Sequence, residues 1–231
     1  MVDTLRSTKG RSYSACPSVA DWERAFGEDD DVLAFTITSG LSGSFRAACA
    51  AKLNCEENSP SRRICIIDSL STGPEIVLLI EKAVSELSAG ADFDAVCRSV
   101  QDYQRRTHLI FALESLHNLA QNGRVGKLAA AAAGMLGIRA VGTTSDEGTL
   151  DLLGKCRGRK RTVDFLQEEM ERLGYTGGCV RIGHCRNTDS AGELRTAILH
   201  RFPGANIRIY PLRGLCSYYA ECGGVLVGFE A

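Results

Sequence analysis

The strongest constraint on the fold is a repeated local pattern: an apolar, β-branched run that ends in small residues and passes straight into a helix-forming stretch. Val32-Leu33-Ala34-Phe35-Thr36-Ile37-Thr38 has the continuous apolar character of a strand buried on both faces. It leads into Ser39-Gly40-Leu41-Ser42-Gly43-Ser44 and then a helical stretch from Phe45 to Leu53. The strand Arg63 to Asp68, the turn Ser69 to Gly73 and the amphipathic run Pro74 to Ser88 repeat the arrangement. Such alternation predicts a layered α/β protein with parallel strands.

Upstream, Ser18 with Asp21 and Glu23 reads as the acidic first turn of a helix reaching Phe26. Downstream, Asp92 is placed to cap a helix to about Arg105, followed by a strand at His108 to Ala112 and a helix to Asn122. The Ala129 to Ala133 run is helix-prone. Asp146-Glu147-Gly148-Thr149, between two apolar stretches, predicts a hairpin over about 139 to 153. A helix (Arg161 to Leu173), a strand (Cys179 to His184), a helix (Ala191 to Leu199) and strands at Ala205 to Tyr210 and Gly224 to Phe229 complete the pattern. The hairpin signals a change of architecture, so two lobes are expected, 1–135 and 136–231.

Charge and cysteine usage narrow the function classes. Lys plus Arg number 27 against 28 Asp plus Glu, so no whole-protein field draws in nucleic acid or an anionic membrane. The ten cysteines include no Cys-x-x-Cys pair, which argues against zinc or a redox dithiol and for reduced thiols in a cytoplasmic setting. Neither a signal-peptide h-region nor a membrane-length apolar stretch occurs, so export and stable membrane insertion are not expected.

Three local features point to chemistry. The turn Thr38 to Ser44 combines glycines, hydroxyls and the start of a helix, which suits a phosphate or carboxylate as well as a plain capping turn. It lacks the Gly-Lys-Ser/Thr of a nucleotide loop. Gly154 to Arg161 packs five cations into eight residues, either a solvated basic turn or a local anion site. His184 ends an apolar strand, where α/β proteins place ligand groups, although a structural histidine fits equally. No Gly-x-Ser-x-Gly elbow accompanies it.

The order of these motifs resembles one family. Ser14-Ala15-Cys16-Pro17-Ser18 is similar to the Thr-Ser-Gln-Pro-Ser signature of DegV proteins, and Thr38 to Ala48 to their Ser-Ser-x-Leu-Ser-Gly-Thr-Tyr-Gln-x-Ala turn. Ile67-Asp68-Ser69, Leu113-Glu114-Ser115-Leu116 through Gly123-Arg124-Val125, and Gly154-Lys155-Cys156-Arg157 follow in the family's order. The family's usual N-terminal segment is not matched. The resemblance implies a two-domain α/β fold, with a parallel-sheet N-terminal lobe, a smaller α/β C-terminal lobe and a long-chain fatty acid between them. It also implies a bacterial binding subunit, not an enzyme, without metal or cofactor, which presents the acyl carboxylate to a fatty acid kinase that makes acyl phosphate for phospholipid synthesis. A small hydrolase and a ligand-free interaction protein are the alternatives. Carried over residue by residue, ligand contacts fall to Ser14, Thr38, Ser39, Ser42 and the Gly43 backbone, with support from Arg157 and His184. Tyr219 stands where the family has its head-group histidine, and a tyrosine hydroxyl also hydrogen-bonds a carboxylate.

Overall fold

The computed structural model describes residues 12–129 and 137–231. Helix α1 (Val19–Phe26) begins in a capping box, in which the Ser18 side chain accepts from Asp21 N and Asp21 reaches back to Ser18 N. Strands β1 (Asp31–Thr36) and β2 (Arg63–Asp68) pair in parallel, Asp31 opposite Arg63 and Thr36 opposite Asp68, and are joined by α2 (Ser44–Asn58).

Strand side chains alternate between faces, so the short sheet divides its apolar residues between two layers. Ala34 and Ile64 pack with Phe26, Ala48 and Ala51. Leu33, Phe35, Cys65 and Ile67 pack against α3 (Pro74–Ser88) and α4 (Phe93–Gln104) through Leu78, Leu79, Val96 and Val100.

A second sheet takes the remaining strands: β3 (Thr107–Leu113), β4 (Ile138–Thr144), β5 (Leu150–Arg157), β6 (Cys179–His184), β7 (Asn206–Pro211) and β8 (Val225–Glu230). Its order is β5-β4-β3-β8-β6-β7, antiparallel except for the parallel β6–β7 pair. Helices α6 (Arg159–Arg172) and α7 (Thr188–Arg201) cover one face, burying Leu166, Met170, Leu194 and Ile198 against Val180, Ile182 and Val227. On the other face lies a separate cluster that includes Leu109, Phe111, Leu113 and Leu226, with α5 (His117–Gln121) and α8 (Gly214–Ala220) at its border. Helix α3 also presses on this sheet. Gly228 of β8 makes that approach possible, because a Cβ there would lie 2.5 Å from Glu75 N.

The α/β class and the hairpin at 139–153 stand, the latter as β4 and β5. The sheets divide the chain in their own way. Strand β3 is almost wholly buried and pairs with β4 on one edge and β8 on the other, so it is a central strand of the second sheet. Sheet membership therefore changes between Asp68 and Thr107, ahead of the expected boundary at residue 135, and the larger sheet carries the C-terminal strands. Residue 135 and the alanine run beyond Ala129 lie outside the described residues. Among the described residues no helix is long and apolar enough to cross a membrane.

Candidate functional site

The turn after β1 is built by its own polar groups. Thr38 N donates to Ser71 O at 2.8 Å, and Leu41 N and Ser42 N donate back to Thr38 O, both at 3.2 Å. The Thr38 hydroxyl accepts from Gly40 N at 3.0 Å and donates to Gly148 O at 2.8 Å, which ties the turn to the β4–β5 hairpin. Gly148 holds φ at +73°, and a Cβ there would run into the Thr38 hydroxyl. Ser42 Oγ accepts from Ser44 N at 3.2 Å and supplies a cap to α2 that the Gly43 N-cap has no side chain to give.

A second wall comes from the segment before α1. Ser14 Oγ and Tyr219 OH lie 2.5 Å apart, and Ser12 is bound to Tyr218 through both its hydroxyl and its carbonyl. Helix α8 thus holds the entering chain against the turn.

These walls enclose a cavity of about 290 Å³ between the two sheets. Phe35, Phe111, Leu113, Leu119, Leu150 and Leu226 give it apolar sides, while Ser14, Ser42, Arg124 and Tyr219 place polar groups on its lining. The Arg124 guanidinium is held beside it, donating to Leu41 O at 3.3 Å and to Asn122 O at 2.7 Å. A mainly apolar cavity that also carries hydroxyls and a guanidinium suits an amphipathic anion.

Of the residues singled out from the sequence, the fold brings Ser14, Thr38, Ser42 and Tyr219 to the cavity. Thr38 serves mainly as an anchor, since its hydroxyl is already bonded as donor and acceptor. Gly43 lies just behind the lining, where a Cβ would come within 3.4 Å of Cys16 Sγ. Ser39, Arg157 and His184 are not on the lining. Ser39 meets Asp68 Oδ1 through its backbone N at 3.0 Å. Arg157 ends β5 opposite Ile138 and is exposed. His184 is buried and accepts from Asn187 N at 3.2 Å, at the start of α7; burial holds its imidazole below the ordinary range. Within the basic run, Arg159 pairs with Asp189 and Glu193, and Arg161 with Glu168.

Sequence reasoning gave no role to Arg124, although it quoted the motif that carries it, and it overlooked α8, whose Leu215, Cys216 and Tyr219 line the cavity. Among the described residues no group of three or more His, Cys, Asp or Glu could hold a metal.

The family model for DegV, described as that of an uncharacterised protein, matches residues 1–230. A DegV domain-containing protein of Streptococcus pneumoniae is 42% identical over 230 residues, all of this chain and 82% of the relative. A crystal structure of a DegV family protein from Eubacterium eligens, loaded with heptadecanoic acid, is 41% identical with a TM-score of 0.95, covering 100% of this chain and 83% of that one. The Streptococcus pneumoniae Fatty Acid Kinase (Fak) B3 protein, loaded with linoleic acid, is also 41% identical, with a TM-score of 0.96 over 99% of this chain and 82% of that one.

Proposed function

The chain belongs to the DegV family, and from that premise we propose that it binds a long-chain fatty acid between its two sheets and presents the carboxylate to a fatty acid kinase in the cytoplasm, catalysing nothing itself. The observation that carries this reading is the cavity itself, apolar along its sides and lined by Ser14, Ser42, Arg124 and Tyr219 where a head group needs partners. Each methylene moved out of water contributes roughly 0.8 kcal/mol, so a long acyl chain offsets the cost of ordering it with several kcal/mol to spare. Hydroxyl donors and a guanidinium then fix the carboxylate.

We assign the carboxylate to Ser14, Ser42 and Tyr219, with Arg124 as the facing cation. Thr38 and Gly43 shape the turn, and Ser39, Arg157 and His184 act at most from outside the lining. Two bacterial neighbours that carry fatty acids at 41% identity support the ligand, and the kinase name of one supports the partner.

Native mass spectrometry followed by organic extraction, on protein purified from a bacterial host, tests the reading. The expected result is about one fatty acid per chain, lost in the Ser14→Ala/Ser42→Ala double variant. Protein that arrives empty and ignores added fatty acid is the ligand-free interaction protein instead.

A further inference from the structure

Behind the turn at 38–42 lies a buried carboxyl that the binding site does not use directly. Glu75 stands in the first turn of α3 and is 4% exposed. Its Oε1 is 2.7 Å from Thr107 Oγ1, and that same hydroxyl is 3.1 Å from Gln104 O. A threonine hydroxyl has one hydrogen, and a backbone carbonyl can only accept. The threonine can share its hydrogen between the two, or a protonated Glu75 can donate to the threonine oxygen and free that hydrogen for Gln104 O. The other oxygen, Oε2, makes no well-aligned hydrogen bond, and among the described residues the buried Ser71 hydroxyl that faces it is the one group placed to reach it. An ionised Glu75 would be a buried charge with, among the described residues, only the Thr107 and Ser71 hydroxyls near it and no cation beside it, and burial of that kind favours the neutral carboxyl.

The same contacts reach the base of the ligand turn. Gln104 Nε2 donates to Asp68 O at 2.9 Å, and Asp68 Oδ1 accepts from Ser39 N and Leu70 N. From the other side Ser71 O receives Thr38 N. Thus a chain of bonded neighbours runs from Glu75 through Thr107, Gln104 and Asp68 to Ser39, while Ser71, which faces Glu75, holds Thr38.

We propose that Glu75 carries a proton in the ligand-binding form and acts as a positioning residue for the turn at 38–42, so that affinity falls when it ionises. This rests on the fatty acid reading above. The groups facing it are Ser71 from the loop after β2, Thr107 from β3 and the Gly228 backbone of β8, and among the described residues no charged side chain acts on it. Nearby titratable groups are engaged elsewhere: Asp68 with the turn, Tyr103 with Glu230, His108 against Phe229, and Arg181 of β6 with Glu81. Burial pushes the Glu75 carboxyl up. A raised carboxyl favours the neutral state in the fold, and the stability it lends is lost as pH rises through its folded titration. Ionisation would put a charge into the network that holds the turn at 38–42, so ligand and ionised Glu75 oppose each other through the turn, and the coupling is reciprocal.

Linoleic acid binding to the full chain, measured by calorimetry from about pH 5.5 to about pH 8.5 for wild type and Glu75→Gln, tests this. The amide cannot ionise, so the ratio of dissociation constants, wild type over variant, is expected to climb with pH, at most about tenfold per pH unit. A ratio that stays flat while both bind overturns the proposal and leaves the fatty acid reading intact. Wild type that binds nothing at any pH overturns both. Should Glu75→Gln fail to fold, carbon-13 titration of glutamate carboxyls in wild type decides: ligand is expected to raise the titration of Glu75, and an unmoved titration overturns the coupling.

Discussion

At the scale of single residues, the site depends on hydroxyls whose partners the fold has already chosen. Tyr219 OH and Ser14 Oγ sit 2.5 Å apart on the cavity lining, so a carboxylate arriving there accepts from a pair that is pre-aligned. Tyr219→Phe removes one donor and leaves Ser14 without its partner, and is expected to weaken fatty acid binding by about 1 kcal/mol, roughly fivefold, in a displacement titration. An unchanged affinity would move the head group away from α8. Ser42 and Ser39 look equivalent in the sequence, both small hydroxyl residues of one turn. They part company because the turn bends between them, which sends Ser39 N to Asp68 and leaves Ser42 on the cavity.

At the scale of elements, the turn works only as part of a dock. Its Thr38 is clasped by the tip of the β4–β5 hairpin, which lies more than a hundred residues along the chain. Gly148→Ala combines a left-handed backbone with a Cβ that collides with the Thr38 hydroxyl, and is expected to lower stability by about 1 to 3 kcal/mol. Fatty acid affinity should drop with it, because the anchor of the turn is displaced. Chemical denaturation read beside ligand titration checks both, and a variant that matches wild type in each would show the clasp to be idle. The hairpin itself was legible, from Asp146-Glu147-Gly148-Thr149 between apolar stretches, whereas α8 was not. Gly214-Leu215-Cys216-Ser217-Tyr218-Tyr219-Ala220 carries no clear helical period over its seven residues; contacts such as Asn118 Nδ2 to Tyr218 O hold it in place.

At the scale of the whole molecule, the ligand space is a gap between two sheets rather than a property of either. A ligand that fills it touches β1, β3, β5 and β8 together and should tighten the fold as one unit. At free ligand a hundredfold above its dissociation constant the gain is about 2.7 kcal/mol, expected as a single thermal transition shifted upward. A transition that splits would mean that the sheets melt separately and that the ligand serves only one of them. The alternation of apolar runs, small-residue turns and helices was enough to determine the α/β class, the parallel β1–β2 pair and the serine turn, because periodicity and turn chemistry act over a few neighbouring residues. Tertiary structure alone decided that β3 joins the second sheet, that Arg124 and Tyr219 meet Ser14 and Ser42 around one cavity, and that His184 and Arg157 stand apart from it. Those outcomes depend on strand partners and helix docking between residues far apart in the chain, where burial of whole faces outweighs any local preference.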